Sequence, residues 1–529
     1  MKIKTKIMAL CLALLALLTV PAGCGRNTQS MVLRVGLVGQ SAVPDPAMVT
    51  ADSEKIVVSH LYENLMKLTP DGEGGTQVTG GQARSYHCED ELDGTQTYTF
   101  TLRDDLTWSD GQPVTAGDFV YAWQRLADPD TGSPNASLLS VVAGYTQVRS
   151  KGDGSLLQVK AEDDHTLVVK LNCRCPYFLT AICTAAATMP VRADGAAASN
   201  GAYTVVSQEN SHLRLTARSQ YYDSKRLGPD ELYITFGKTT EELEALYDDG
   251  DLDFMLGLPG EGEAEDADPY PRMTVLLVNH SAPSMKSESL RQAMSLVIDR
   301  NGLTELTGGA YLPAEGIVSH GICFPDGTSF REHNGALIDN DSKHYKDNCA
   351  AAREIMAEAG YDSSAAMAAL GKMTLLYAKG EVNDQLVAFL QQTWQREMGL
   401  TVTLNGVEPE ELEKALKKGE FTLALTDVTA AYNDATAFLG NWHSNAAGNY
   451  GHFRSSAYNM LLRVAAASSD DEAREAYLED AERLLLEKGG VIPLYGAGRC
   501  YRLGEGLTGL INNGVGVYYF FRVHEISHS

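Results

Sequence analysis

Between Met373 and Leu425 the chain alternates between period-two apolar runs and helical stripes, and this alternation limits the fold more than any other feature. Met373 to Tyr377 reads as a strand, Val382 to Met398 as a helix, Thr401 to Leu404 as a strand, Glu410 to Lys418 as a helix and Phe421 to Leu425 as a strand. In the first helix Leu386, Phe389, Leu390 and Trp394 share one face, and Gly399 supplies the C-terminal stop. Helices in regular alternation with strands serve as crossovers between parallel neighbours, so the segment predicts a mostly parallel sheet covered by helices. A related order upstream, with Thr239 or Thr240 capping a helix through Tyr247 and a strand from Asp251 to Met255, predicts a further α/β region.

The remaining segments are read the same way. Leu33 to Leu37 alternates into a strand, Ala51 to Met66 reads as a helix, and Asp71 to Gly81 as a Gly-rich loop. Tyr98, Phe100 and Leu102, and later Leu167, Val169 and Leu171, show the alternation of half-buried strands, with a helix from Thr115 to Ala127 between them. Ser289 to Arg300 carries Leu290, Ala293, Met294, Val297 and Ile298 at core spacing and reads as one amphipathic helix. The acidic stretch Glu261 to Asp268 reads as a solvated loop.

A chain of 529 residues, 44% hydrophobic, can bury a large core and has room for two to four domains. Its 43 basic and 69 acidic residues give a net charge of -26, which opposes binding to nucleic acid or to anionic lipid headgroups. Lys2, Lys4 and Lys6 precede an apolar run from Ile7 to Val20, too short to span a membrane comfortably, followed by Pro21-Ala22-Gly23-Cys24 and a polar stretch. This is an export leader, and its end resembles a bacterial lipoprotein cleavage box, with Pro21 in place of the usual leucine. The resemblance implies that Cys24 is lipidated and becomes the mature N-terminus, anchored at the outer face of the membrane. The alternative is an ordinary secretory leader cleaved nearby. Apart from Cys11 and Cys24, the nine cysteines leave Cys88, Cys173, Cys175, Cys183, Cys323, Cys349 and Cys500, too scattered for a dense disulfide framework. Cys173, Cys175 and Cys183 lack the paired spacing of structural zinc and read as buried thiols or one disulfide.

Several further stretches are similar to one family. Leu61-Tyr62-Glu63-Asn64-Leu65, Tyr98 to Asp105, Trp108 to Ala116 and Asp118-Phe119-Val120-Tyr121-Ala122-Trp123-Gln124-Arg125-Leu126 resemble the oligopeptide-binding, family 5 solute-binding components of ABC importers. The likeness continues through Ser199 to Tyr203, Leu290 to Met294 with Ile298-Asp299-Arg300, Glu358-Ala359-Gly360-Tyr361 and Val491 to Tyr495. It implies a periplasmic-binding-protein-like α/β fold of two lobes joined by a hinge, with an extra domain inserted in the N-terminal lobe. The expected division is residues 1–24 leader, 25–66 first segment of lobe I, 67–186 inserted domain, 187–275 second segment of lobe I, 276–490 lobe II and 491–529 the return to lobe I. Crossovers are expected near Met273 to His280 and Lys488 to Pro493. It further implies an oligopeptide ligand bound as an added strand, a permease and ATPase complex as partner, a monomer, and no cofactor, metal or catalysis.

The family pairs the peptide's α-ammonium with an aspartate, and in Ala430-Ala431-Tyr432-Asn433-Asp434 that place is taken by Ala431. A closed cleft without the carboxylate leaves an ammonium unpaired at a cost of several kcal/mol. Asp427 or Asp434 supplies the charge instead, or the ligand has no free N-terminus, or the site has diverged; either aspartate also reads as a loop cap. Tyr121 and Tyr495 match cleft-lining tyrosines, with core tyrosines as the alternative. Thr429 falls where backbone groups run along the peptide, and Asn449 reads either as orienting a ligand amide or as a turn residue. Trp108 reads as structural.

The rival readings are a carrier of another solute, a signalling or adhesive lipoprotein that keeps the fold, and a zinc hydrolase. His524-Glu525-Ile526-Ser527-His528 formally matches H-E-x-x-H, but it occupies the chain's last six residues after the strand-like Val517 to Val523, where no stable helix forms. No G-x-S-x-G elbow or Ser-x-x-Lys motif is present.

Overall fold

Strand β1 (Val32–Val38) forms where Leu33, Val35 and Leu37 alternate into a buried core. It is the first element of a computed structural model that describes residues 30–40, 42–71, 76–262, 267–324 and 327–526. Cys24 and the leader lie outside the described residues, as do Ser527 and His528. A hairpin, β2 (Met66–Pro70) and β3 (Thr76–Gly80), leads into a four-stranded antiparallel sheet of β4 (Ala83–Asp90), β5 (Gln96–Leu102), β6 (Val159–Asp163) and β7 (Thr166–Leu171), ordered β4-β5-β7-β6. The helix Ala116–Ala127 packs Phe119 and Trp123 against this sheet's core. That core also takes in Ala47, Val49 and Val58, so it reaches back beyond residue 67. Trp108 is fully buried in it, its indole N–H directed at the Asp118 carboxylate 3.4 Å away.

The chain then builds β8 (Tyr203–Glu209), β9 (His212–Ala217), β10 (Glu231–Gly237) and β11 (Phe254–Leu256) beside β1, in the order β11-β1-β10-β9-β8, with β1 parallel to β10 and β11. It leaves this lobe through β12 (Ala267–Val278). The second lobe adds β13 (Tyr311–Pro313), β14 (Met373–Ala378), β15 (Val402–Val407) and β16 (Leu423–Thr429), and β17 (Val491–Leu503) returns. One hydrogen-bonded path, β15-β14-β16-β12-β17-β11-β1, runs through both lobes. It is parallel where β14 meets β15 and β16, and antiparallel where β12 and β17 cross. The fold is thus mixed α/β in two lobes, and the two crossings are each other's neighbours. Along β12, Leu276 and Val278 face one core of the second lobe while Met273, Val275 and Leu277 face the other, as a sheet covered on both sides requires.

Three expectations need correction. The helix expected to Met66 is Asp52–Leu61, because Asn200 holds the following backbone extended by accepting from Glu63 N at 3.1 Å and donating to Glu63 O at 2.9 Å. The expected loop at 71–81 contains β3. The helix expected over 289–300 is two, Glu288–Leu296 and Arg300–Thr307, since Asp299 caps the second by accepting from Gly302 N. His524 and Glu525 pair as strand with Thr508 and Leu507. Among the described residues no group of three or more His, Cys, Asp or Glu side chains is placed to hold a metal ion, and no helix is long and apolar enough to cross a membrane.

Candidate functional site

The exposed end of β16 meets the two crossings at the boundary between the lobes. Side chains two residues apart on a strand share a face, so Asp427 and Thr429 form an exposed pair at the end of β16, and Ala431, just beyond the strand, is exposed as well. The Asp427 side chain is 49% exposed. Opposite it on β12, Thr274 donates its hydroxyl to Asp427 Oδ1 at 2.6 Å, and Thr274 is in turn the cross-strand partner of Tyr495 on β17. Arg272, paired with Thr429, lies with Nε 3.8 Å from Asp427 Oδ2 and donates through Nη2 to Pro259 O of the first lobe at 2.8 Å. The 3.8 Å contact is too long for a hydrogen bond, so Asp427 Oδ2 remains able to accept one from a ligand. Tyr495 is buried edge-on to Tyr311, ring centroids 4.9 Å apart, and burial pushes both hydroxyls above their ordinary range.

A second contact joins the inserted domain to the second lobe. Tyr177, beyond β7, stacks on Tyr432, the residue after Ala431, at 4.5 Å between centroids and 12° between planes. Arg174 donates to Ser468 O and lies 3.7 Å from Asp471, so the two walls also meet beside the helix Asp471–Glu487. Burial pushes the Tyr432 hydroxyl up to about 12. At the opposite edge, Asp52 in the first helix accepts from Tyr270 on β12 at 2.7 Å and from Arg499 on β17 at 2.5 Å. Burial alone would raise that carboxyl, but Arg499 and Lys55 outweigh it and hold it below the usual carboxylate range.

Three expected site residues fall elsewhere. Asp434 is buried and bonded to Arg474 Nη2 through both oxygens at 2.8 and 2.9 Å, while also accepting from Thr436, the bonding of a loop cap, and it does not join the Asp427 group. Asn449 is the turn residue, donating to Phe453 O at 2.8 Å and accepting from Phe453 N at 3.0 Å. Tyr121 is 37% exposed on the helix Ala116–Ala127 and does not join the Asp427 group. Sequence reasoning missed Arg272, Thr274, Tyr311, Tyr177 and Tyr432. Arg272 carried a usable signal, a lone cation near the start of the apolar run Met273 to Val278.

Two α/β lobes joined by paired crossing strands, with the boundary lined by exposed polar groups, define a two-lobed solute-binding protein. Comparison with known proteins agrees: residues 77–450 match the model for bacterial extracellular solute-binding proteins, family 5. The chain belongs to that family. It is 29% identical over 482 residues to the probable deoxycholate-binding periplasmic protein YgiS of Escherichia coli, covering 85% of each chain. It is 28% identical over 505 residues to the periplasmic oligopeptide-binding protein OppA of the same organism, covering 90% of this chain and 89% of that one. Among solved structures, the unliganded open form of the murein tripeptide-binding protein MppA superposes with a TM-score of 0.77 at 24% identity, covering 94% of this chain and 98% of that one.

Proposed function

We propose that the chain captures oligopeptides between its lobes and delivers them, chemically unchanged, to an ABC permease and ATPase complex, while a lipid on Cys24 holds it at the outer face of the membrane. The observation that carries the reading is the exposed end of β16, with Asp427 and Thr429 on one face and Ala431 exposed just beyond, beside paired crossings. A peptide laid along such a strand end gains main-chain hydrogen bonds independent of its sequence. Because Ala431 has no charge to offer, Asp427, four residues earlier at the exposed end of β16, receives the peptide's ammonium through Oδ2. Tyr495, braced by Tyr311 and Thr274, supports that carboxylate from below, and Thr429 lies on the ligand's path.

A second reading has a specific observation behind it. Arg272 stands beside Asp427, and position 431 lacks a carboxylate, which suits an anionic amphiphile without an ammonium; a relative's name, deoxycholate-binding, points the same way. A thermal-shift screen of free peptides, N-acetylated peptides and deoxycholate separates the two. The first reading expects free peptides to stabilise most, with that preference lost in Asp427→Asn. Stabilisation by deoxycholate alone would replace it with the second, and recovery of a cleaved peptide would exclude both.

A further inference from the structure

A groove of about 1070 Å³ opens on the first lobe, away from the interlobe boundary, and no residue of the second lobe lines it. Its walls carry six basic side chains, Lys67, Arg84, Arg103, Lys225, Arg226 and Arg522, against one acidic side chain, Asp223, while just outside the lining Asp104 pairs with Arg84 at 2.7 Å and Glu63 lies 3.6 Å from Lys67, so that the cations still outnumber the carboxylates. Asp223 is already engaged by Lys67 at 3.0 Å and Arg522 at 2.5 Å. Arg226 lies 3.8 Å from it and is 77% exposed. Arg103 sits over the Tyr222 ring, bonded to the carbonyls of Gly80 and Gly81, with no carboxylate partner among the described residues. Lys225 is exposed at the rim, likewise without an acidic partner among the described residues. Such a local excess of positive charge on a chain of net charge -26 marks where an anionic surface is tolerated.

The start of the described chain points to which surface. Met31 is bonded to Asp230 in both directions, N to Oδ2 at 2.8 Å and O from N at 2.9 Å, two residues beyond Gly228 of the groove. Only six peptide steps separate Cys24 from Ser30, a reach of at most about 20 Å. We propose that this groove rests on the anionic phospholipid headgroups of the membrane that anchors the chain, so that the protein stands on its first lobe. The proposal rests on the reading that Cys24 is lipidated. The acidic remainder is repelled from the same surface, and that repulsion fixes the orientation as much as the groove's attraction does.

The test uses the mature full chain on vesicles and follows acylation of Lys225 by an amine-reactive ester, with exposed Lys414 and Lys418 of the second lobe as internal references. At about 50 mM salt, Lys225 is expected to react about five-fold more slowly on phosphatidylglycerol-containing vesicles than on phosphatidylcholine alone, and the difference disappears at about 500 mM. The double variant Arg84→Gln, Arg226→Gln should lose most of the protection with its thermal midpoint unchanged. Equal rates on the two vesicles, for a chain whose Cys24 mass shows diacylglycerol, overturn the groove's role alone; an unmodified Cys24 overturns the anchoring. Equal protection by inorganic phosphate makes the groove a free-anion site, and stronger protection by polyglutamate makes it a protein contact; either replaces the proposal.

Discussion

His60 is wholly buried in the first helix, and its ring has one possible proton arrangement. The Phe520 amide donates to Nε2 at 2.8 Å, so Nδ1 carries the hydrogen and donates to Ile56 O at 2.7 Å. Burial lowers its pKa to about 4. The unfolded chain, near 6.5, therefore binds a proton that the folded chain refuses between those values. Stability from this histidine is complete above about pH 6.5 and falls as pH drops toward 4, by about 3 kcal/mol in total, with no further loss below. Denaturant titrations across pH 7 to 4 should show this loss, reduced in His60→Asn. His280, also lowered to about 4 by burial and then by Arg291, adds a parallel contribution that the variant retains. Most buried side chains at this scale announced themselves in the sequence, as Trp108 did. Asp434 stayed open between a ligand anchor and a loop cap, since its partner Arg474 is forty residues on and only the fold brings them together.

The Tyr177 and Tyr432 stack joins the inserted domain to the loop after β16, and parallel aromatic contacts of this kind contribute about 0.5–1.5 kcal/mol. Tyr432→Ala should therefore shift the unliganded chain toward opening, raise its radius of gyration and speed ligand release by roughly three- to ten-fold. Tyr432→Phe keeps the stack and should leave release unchanged. Unchanged release in the alanine variant would show that the stack does not hold the walls together. Elements with strong local periodicity were legible: the strands and helices from 373 to 425 match expectation to within a few residues, and the helix Thr240–Asp248 begins at the Thr239 cap. Where a distant group decides, the sequence was silent. Asn200 ends the first helix from 137 residues away, and no pattern near Leu61 records it. The break at Asp299 was different, because an N-cap residue stood inside the apolar stripe and the stripe's spacing masked it.

For the whole molecule, the continuous sheet confines relative motion of the lobes to the two crossings, β12 and β17. Closure on a bound solute then lowers the radius of gyration without loss of secondary structure, which solution scattering with and without saturating ligand should record. A profile unchanged by every stabilising ligand would remove the hinge reading. The two-lobed architecture was visible in the order of elements together with the family likeness, whereas of the candidate site only the residues around the end of β16 and Tyr495 on β17 were legible. Asp427, Thr429 and Ala431 are sequence neighbours, but Arg272 and Thr274 reach them through pairings across some 150 to 160 positions, and Tyr495 joins through Thr274 across some 220.

The pairing of the crossings also governs how the gene can be rearranged. Leu277 and Val491 face each other across one ladder, so everything between them is a detour whose two stumps emerge side by side. A lobe from a relative, or an unrelated domain with closely spaced ends, can be transplanted onto those stumps without re-routing the host chain.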